Sequence, residues 1–149
     1  MEGVIRIPNI ETYGQEIIDG DLILTPIKIY IEEFEFMRLS FKGSTILSCL
    51  VKENDRIISD KKKYRSLMID IWKTMTPKKI FQNSSFNFEL RNMYGEKGFK
   101  WCNVINMSFQ SKDAEGTIKE IINMIHLNKY KIDISIKTEE GMKYHFKID

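Results

Sequence analysis

The chain has 149 residues, 42% hydrophobic and 30% charged, with a net charge of +2. That composition supports one packed core without metal or disulfides, excludes a disordered chain, and is less basic than dedicated nucleic-acid modules tend to be. The 24 isoleucines and 18 lysines against a single alanine, Ala114, point to an AT-rich source genome. β-Branched isoleucine in place of alanine also pushes local preference toward strands.

Residues 1–20 carry scattered isoleucines without a sustained period and read as an irregular lead-in, with one short edge strand near Val4 to Ile7. They show no basic region followed by an apolar core, and no window nears 18 uninterrupted apolar residues. A cytoplasmic protein, or an intracellular one in a host cell if viral, with no membrane partner, is therefore expected. Leu22-Ile23-Leu24 reads as a brief strand stopped by Pro26, which lacks a ladder donor.

Ile27 to Phe41 reads as a long strand whose parity slips at Glu32-Glu33, as at a bulge. Lys42-Gly43-Ser44 turns it, Thr45 to Val51 returns as a strand, and Lys52 to Ser59 is a polar connection. Tyr64, Leu67, Met68, Ile71, Trp72 and Met75 then form one helical stripe, capped by Ser59 or Asp60 and ended by Thr76-Pro77. A short Lys-Ile strand closes this half near Gln82.

The second half repeats the pattern. Phe86, Phe88 and Leu90 alternate with polar residues, Gly95 to Gly98 turn the chain, and Phe99 to Phe109 returns as a strand. Ile118, Ile121, Ile122 and Ile125 give the second helix, with Ser111 or Asp113 as cap, Thr117 with Glu120 as a capping box if it begins later, and Asn128 as the left-handed terminus. Lys131 to Lys137 and Met142 to Ile148 flank Glu139-Glu140-Gly141 as a closing hairpin.

The expected fold is α+β: a largely antiparallel sheet with two amphipathic helices packed on one face, built from pseudo-duplicated strand-strand-helix-strand units. One domain spans 1–149, with repeat-like halves at 27–82 and 86–148. The layout is similar in architecture to sliding-clamp domains, TATA-binding-protein-like saddles and coactivator-type single-strand-binding folds, a likeness that concerns the fold alone.

No nucleophile elbow, phosphate-cradling glycine loop or zinc-ligand helix occurs, so no cofactor and no metal are expected. Cys49 and Cys102 read as buried, reduced thiols, with a bridge between symmetry-related strands as the alternative. His126, near a helix end, reads as a C-terminal charge partner, and strand parity puts His145 on an exposed face. Glu32, Glu33 and Glu35 read as the charged lining of an edge strand rather than a catalytic cluster.

Charge is distributed unevenly: residues 1–40 carry a net −5 and residues 52–79 a net +5. Lys61, Lys62, Lys63 and Arg65 open the first helix, where the macrodipole disfavours cations, and Lys78 and Lys79 follow it. Tyr94 and Trp101 stand near the second hairpin turn and could stack on bases. These eight residues are the candidate binding set.

Three readings compete. One is a non-catalytic binding module with a protein partner: an inhibitor, an immunity-type antidote or a viral accessory protein. Another is a nucleic-acid-binding domain using the basic 61–79 segment, and an enzyme with a site assembled by the fold, through carboxylates or His145, stands third.

Overall fold

In the computed structural model the backbone of residues 10–18, 20–93 and 95–149 is described, with side chains from residue 28 onward. The Val4 to Ile7 strand and Tyr94 lie outside the described residues. Among the described residues nine strands and four helices follow in order: β1 Ile10–Ile18, β2 Asp21–Tyr30, α1 Glu33–Phe36, β3 Thr45–Glu53, β4 Arg56–Ser59, α2 Tyr64–Trp72, α3 Pro77–Asn83, β5 Phe88–Glu89, β6 Phe99–Cys102, β7 Met107–Gln110, α4 Ala114–Asn128, β8 Lys131–Lys137 and β9 Lys143–Ile148. The class is α+β, as the alternation of patterns predicts.

A six-stranded sheet runs β1-β2-β9-β8-β3-β4, and a separate three-stranded sheet runs β5-β7-β6. Neighbours are antiparallel except β2 with β9, which pair in parallel at Ile29↔Tyr144 and Tyr30↔His145. On β3, β8 and β9 one parity is apolar. Ile46, Cys49 and Val51 face Ile136, Ile134 and Ile132, which in turn face Tyr144, Phe146 and Ile148. This inner face packs with Leu67, Ile71 and Trp72 of α2 and Ile118, Ile121 and Ile125 of α4 in one core cluster.

The two long helices lie side by side, both running away from the same end: Arg65 reaches Ser111, Trp72 reaches Glu120, and Thr74 accepts from Tyr130 beyond the helix ends. Trp72 is fully buried and meets Phe86, Phe88 and Phe109 edge-on, which fastens the small sheet to the helices. Such edge-to-face pairs contribute about 0.5–1.5 kcal/mol each beyond area burial.

Glu120 is also fully buried. Its carboxylate accepts from Trp72 Nε1 at 3.0 Å, from Ser85 N at 3.1 Å and from the Ser84 hydroxyl. A capping role for Glu120 is therefore corrected. It joins α2, α4 and the 84–85 turn, and α4 is capped by Asp113, which accepts from Gly116 N.

Several local expectations are corrected. Pro26 sits inside β2, opposite Tyr13 of β1, because β2 meets β9 only from Ile29 onward and no ladder donor is needed on its second side. β1 occupies much of the expected lead-in. Glu33–Phe36 is a helical turn rather than strand: the Glu35 carboxylate accepts from Glu32 N, and Phe36 turns inward to stack on Phe146.

The Lys52 to Ser59 connection is a hairpin, turned at Asn54 with φ 54°, and Phe99 to Phe109 is another, turned at Asn106 with φ 54°. α2 has Lys63 as its N-cap residue with no side-chain cap, so neither Ser59 nor Asp60 serves; the left-handed residue after α4 is Lys129 rather than Asn128. Lys79-Ile80 lies in α3, which Thr76 caps and Pro77 opens, because proline's fixed φ suits a first helical turn.

Correspondence between the halves accordingly stops at hairpin followed by helix. The first hairpin belongs to the large sheet and the second to the small one, and the closing strand β8 has a helix, α3, as its counterpart.

Candidate functional site

The basic segment expected to bind does not form one patch. Lys61, Lys62 and Lys63 are exposed just before α2, and Arg65 follows in its first turn, 3.5 Å from the Ser111 hydroxyl. Lys78 and Lys79 lie beyond the opposite end of α2, on α3. Lys79 donates to Asn128 Oδ1 at 2.8 Å, a cation placed at the C-terminal end of α4 where the dipole welcomes it. Trp101 is half-buried on β6 opposite Ser108, in the small sheet.

The other candidates also settle into structure. Cys49 and Cys102 are free, buried, and in different sheets, which removes the proposed bridge. Burial pushes the Cys49 thiol up to about 12, with Asp133 and Asp60 adding in the same direction. Burial also raises Tyr64, against the opposing hydrogen bond with the Ser44 hydroxyl. His126 pairs with Glu33 of α1 at 2.7 Å in an exposed contact, while Glu32 and Glu35 are taken up by the α1 turn.

A stronger basic surface emerges on the outer face of the six-stranded sheet. Strand parity places Lys131, Asp133, Ser135 and Lys137 of β8 there with Lys143, His145 and Lys147 of β9. Ser48, Leu50 and Lys52 of β3 join them through the β3–β8 register, and Tyr30 of β2 through its pairing with His145. Lys28, two residues before Tyr30, shares that parity. Among the residues with described side chains, this face carries six lysines across four strands, with Asp133 between them and Asp149 just past β9, opposite Lys131 in the β8–β9 register.

The arrangement is costly to the fold. Lys52 stands directly opposite Lys131, and Lys137 directly opposite Lys143, although like charges so placed repel. Lys131, Lys137, Lys143 and Lys147 are all exposed, and none has an ion-pair partner within reach among the described residues. At one end Lys52, Lys131 and Lys147 surround a hollow of about 200 Å³, together with Leu50, Asp133 and Asp149.

The middle of the face is uncharged apart from one pair. His145 Nε2 bonds the Asp133 carboxylate, and Tyr30 stacks on the imidazole with ring centroids 4.3 Å apart. His145 is thus on the outer face, as parity predicts, but buried rather than exposed. Its Nδ1 and the hydroxyl of its register partner Ser135 are both buried without a hydrogen-bond partner. Each such orphan costs about 1–3 kcal/mol of desolvation.

Among the described residues no helix is long and apolar enough to cross a membrane, and no group of three His, Cys, Asp or Glu side chains could hold a metal ion. Comparison with protein-family models, with curated proteins and with solved structures finds no match.

The signal for this face was present in the chain as Lys-x-Asp-x-Ser-x-Lys followed by Lys-x-His-x-Lys, each with period two. It differs from the 61–79 segment in being dispersed along the chain and assembled by strand pairing.

Proposed function

We propose that the chain is a non-catalytic binding module that docks an anionic macromolecule on the outer face of its six-stranded sheet. The observation that carries the reading is the pair of like-charged cross-strand contacts, Lys52 with Lys131 and Lys137 with Lys143. A face that repels itself when free gains from a partner that supplies the missing negative charge. A protein inhibitor, antidote or accessory module would set this face against an acidic surface; a nucleic-acid-binding domain would set it on phosphates.

The test is retention on an immobilised polyanion such as heparin as salt is raised. Changing Lys131, Lys137, Lys143 and Lys147 together to Gln abolishes retention, whereas changing Lys61, Lys62, Lys63 and Arg65 to Gln alters the elution salt little. Equal effects of the two quadruple variants, or no retention of the wild-type chain at low salt, would remove the proposal.

A further inference from the structure

The six lysines are not spread evenly. Lys143 and Lys137 are register partners, and Lys28 has the parity to lie beside Lys143 across the β2–β9 pairing. These three form one basic band across adjacent strands. Lys147, Lys131 and Lys52 form a second band around the hollow at the other end, which Asp133 and Asp149 also line.

Between the bands lies a strip without net positive charge, containing Tyr30, His145, Ser135, Ser48, Asp133 and Leu50. At 3.3–3.4 Å per residue, Lys143 and Lys147 are roughly 13 Å apart along the strand, and Lys131 and Lys137 roughly 20 Å. Each band is about 10 Å wide, since neighbouring strands lie ~4.8 Å apart.

We infer that the anionic partner is a double-stranded nucleic acid, with one lysine band on each of its two backbones and the neutral strip spanning the groove between them. This rests on the docking role proposed above. The band separation is of the order of the ~12 Å major-groove width of B-form DNA, to which flexible lysine stems add reach.

A single strand has one backbone and would use one band. A single strand would also call for exposed aromatic side chains on which to stack bases, and Tyr30, the tyrosine on this face among the residues with described side chains, is already stacked on His145. Lysines without paired bidentate donors read phosphate positions and not base identity, so binding is expected to be insensitive to sequence.

The experiment measures binding of a short labelled DNA duplex, the matching RNA duplex, each single strand, and polyglutamate as the acidic-protein stand-in, over roughly 50 to 200 mM salt. The wild-type chain binds a duplex most tightly. Lys137→Gln with Lys143→Gln lowers the slope of log K against log salt by about 2, and Lys131→Gln with Lys147→Gln lowers it by about the same.

Circular dichroism and the thermal midpoint of each variant confirm that it remains folded. Duplex binding that responds to one band only, or a single strand or polyglutamate that competes equally at matched charge, overturns the duplex assignment and leaves the docking role standing. Absence of binding to every polyanion removes both. The B-form spacing of the bands predicts tighter binding of the DNA duplex, and a preference for the RNA duplex overturns the match to that groove.

Discussion

The two faces of β8 differ by a single residue in register and by everything in physical role. Ile132, Ile134 and Ile136 point into a core closed by α2 and α4, where shape and burial decide what is allowed. Lys131, Asp133, Ser135 and Lys137 point the other way, toward repelling charges and orphaned polar groups. One face is optimised for being folded, and the other is left unsatisfied in isolation. A surface with opposed like charges and two orphaned buried polar groups is better evidence for a partner than Lys61 to Lys63, a solvated run opposed only by the helix dipole.

The sharpest chemical contrast is thiol reactivity. Cys49 belongs to the inner face, and a thiol shifted from 9.0 to about 12 holds roughly a thousandfold less thiolate at pH 8 than an ordinary one. Native protein should therefore label with iodoacetamide at Cys49 about a thousandfold more slowly than denatured protein, as read by peptide mass spectrometry. The sign of the pH linkage follows: above pH 9 the unfolded chain releases a proton that the folded chain keeps, so stability falls as pH rises from 9 toward 12. The raised Tyr64 acts in the same direction. A rise in urea midpoint across that window would break the assignment of Cys49 to the core.

Core truncation comes next. Ile134 is fully buried at the centre of the sheet, so Ile134→Ala should lower the unfolding free energy by about 2–5 kcal/mol in urea titration. A loss below 1 kcal/mol would mean the inner face is not the packed one.

On the outer face the signs should reverse. Ser135→Ala removes a buried hydroxyl that has no partner and should stabilise the chain by about 1 kcal/mol. The smallest effect is Lys52→Gln, which relieves the repulsion from Lys131 and should gain up to about 0.5 kcal/mol, vanishing at high salt. Destabilisation by both changes would show that the outer face is as optimised as the inner one.

The alternating and 3.6-residue periods made α2, α4, β3, β8 and β9 legible, because each has one face buried against the others. The missed features share a different cause. Both unexpected hairpins turn at an asparagine, Asn54 and Asn106, in the left-handed conformation that glycine adopts more readily. The Glu32 to Met37 run alternates like a strand, yet a single helical turn buries Phe36 and leaves Phe34 outside. Long-range pairing decided that outcome, by bringing Phe146 to meet Phe36.

The binding candidates show the same limit. Lys61 to Lys63 are conspicuous because they are adjacent in the chain, while Lys52, Lys131 and Lys147 are brought together only by the β3–β8–β9 register. Period two told which face each lysine takes, but not which strands would be neighbours. The parallel joint of β2 to β9 carries no local signature at all.

That joint dictates an order of assembly. The β1–β2 hairpin can form as soon as it is synthesised, yet it joins the large sheet only through the edge of β9, which emerges from the ribosome after every other described strand. Until then the hairpin has an open edge and no seat, a window in which chaperones or a second nascent chain would compete for it.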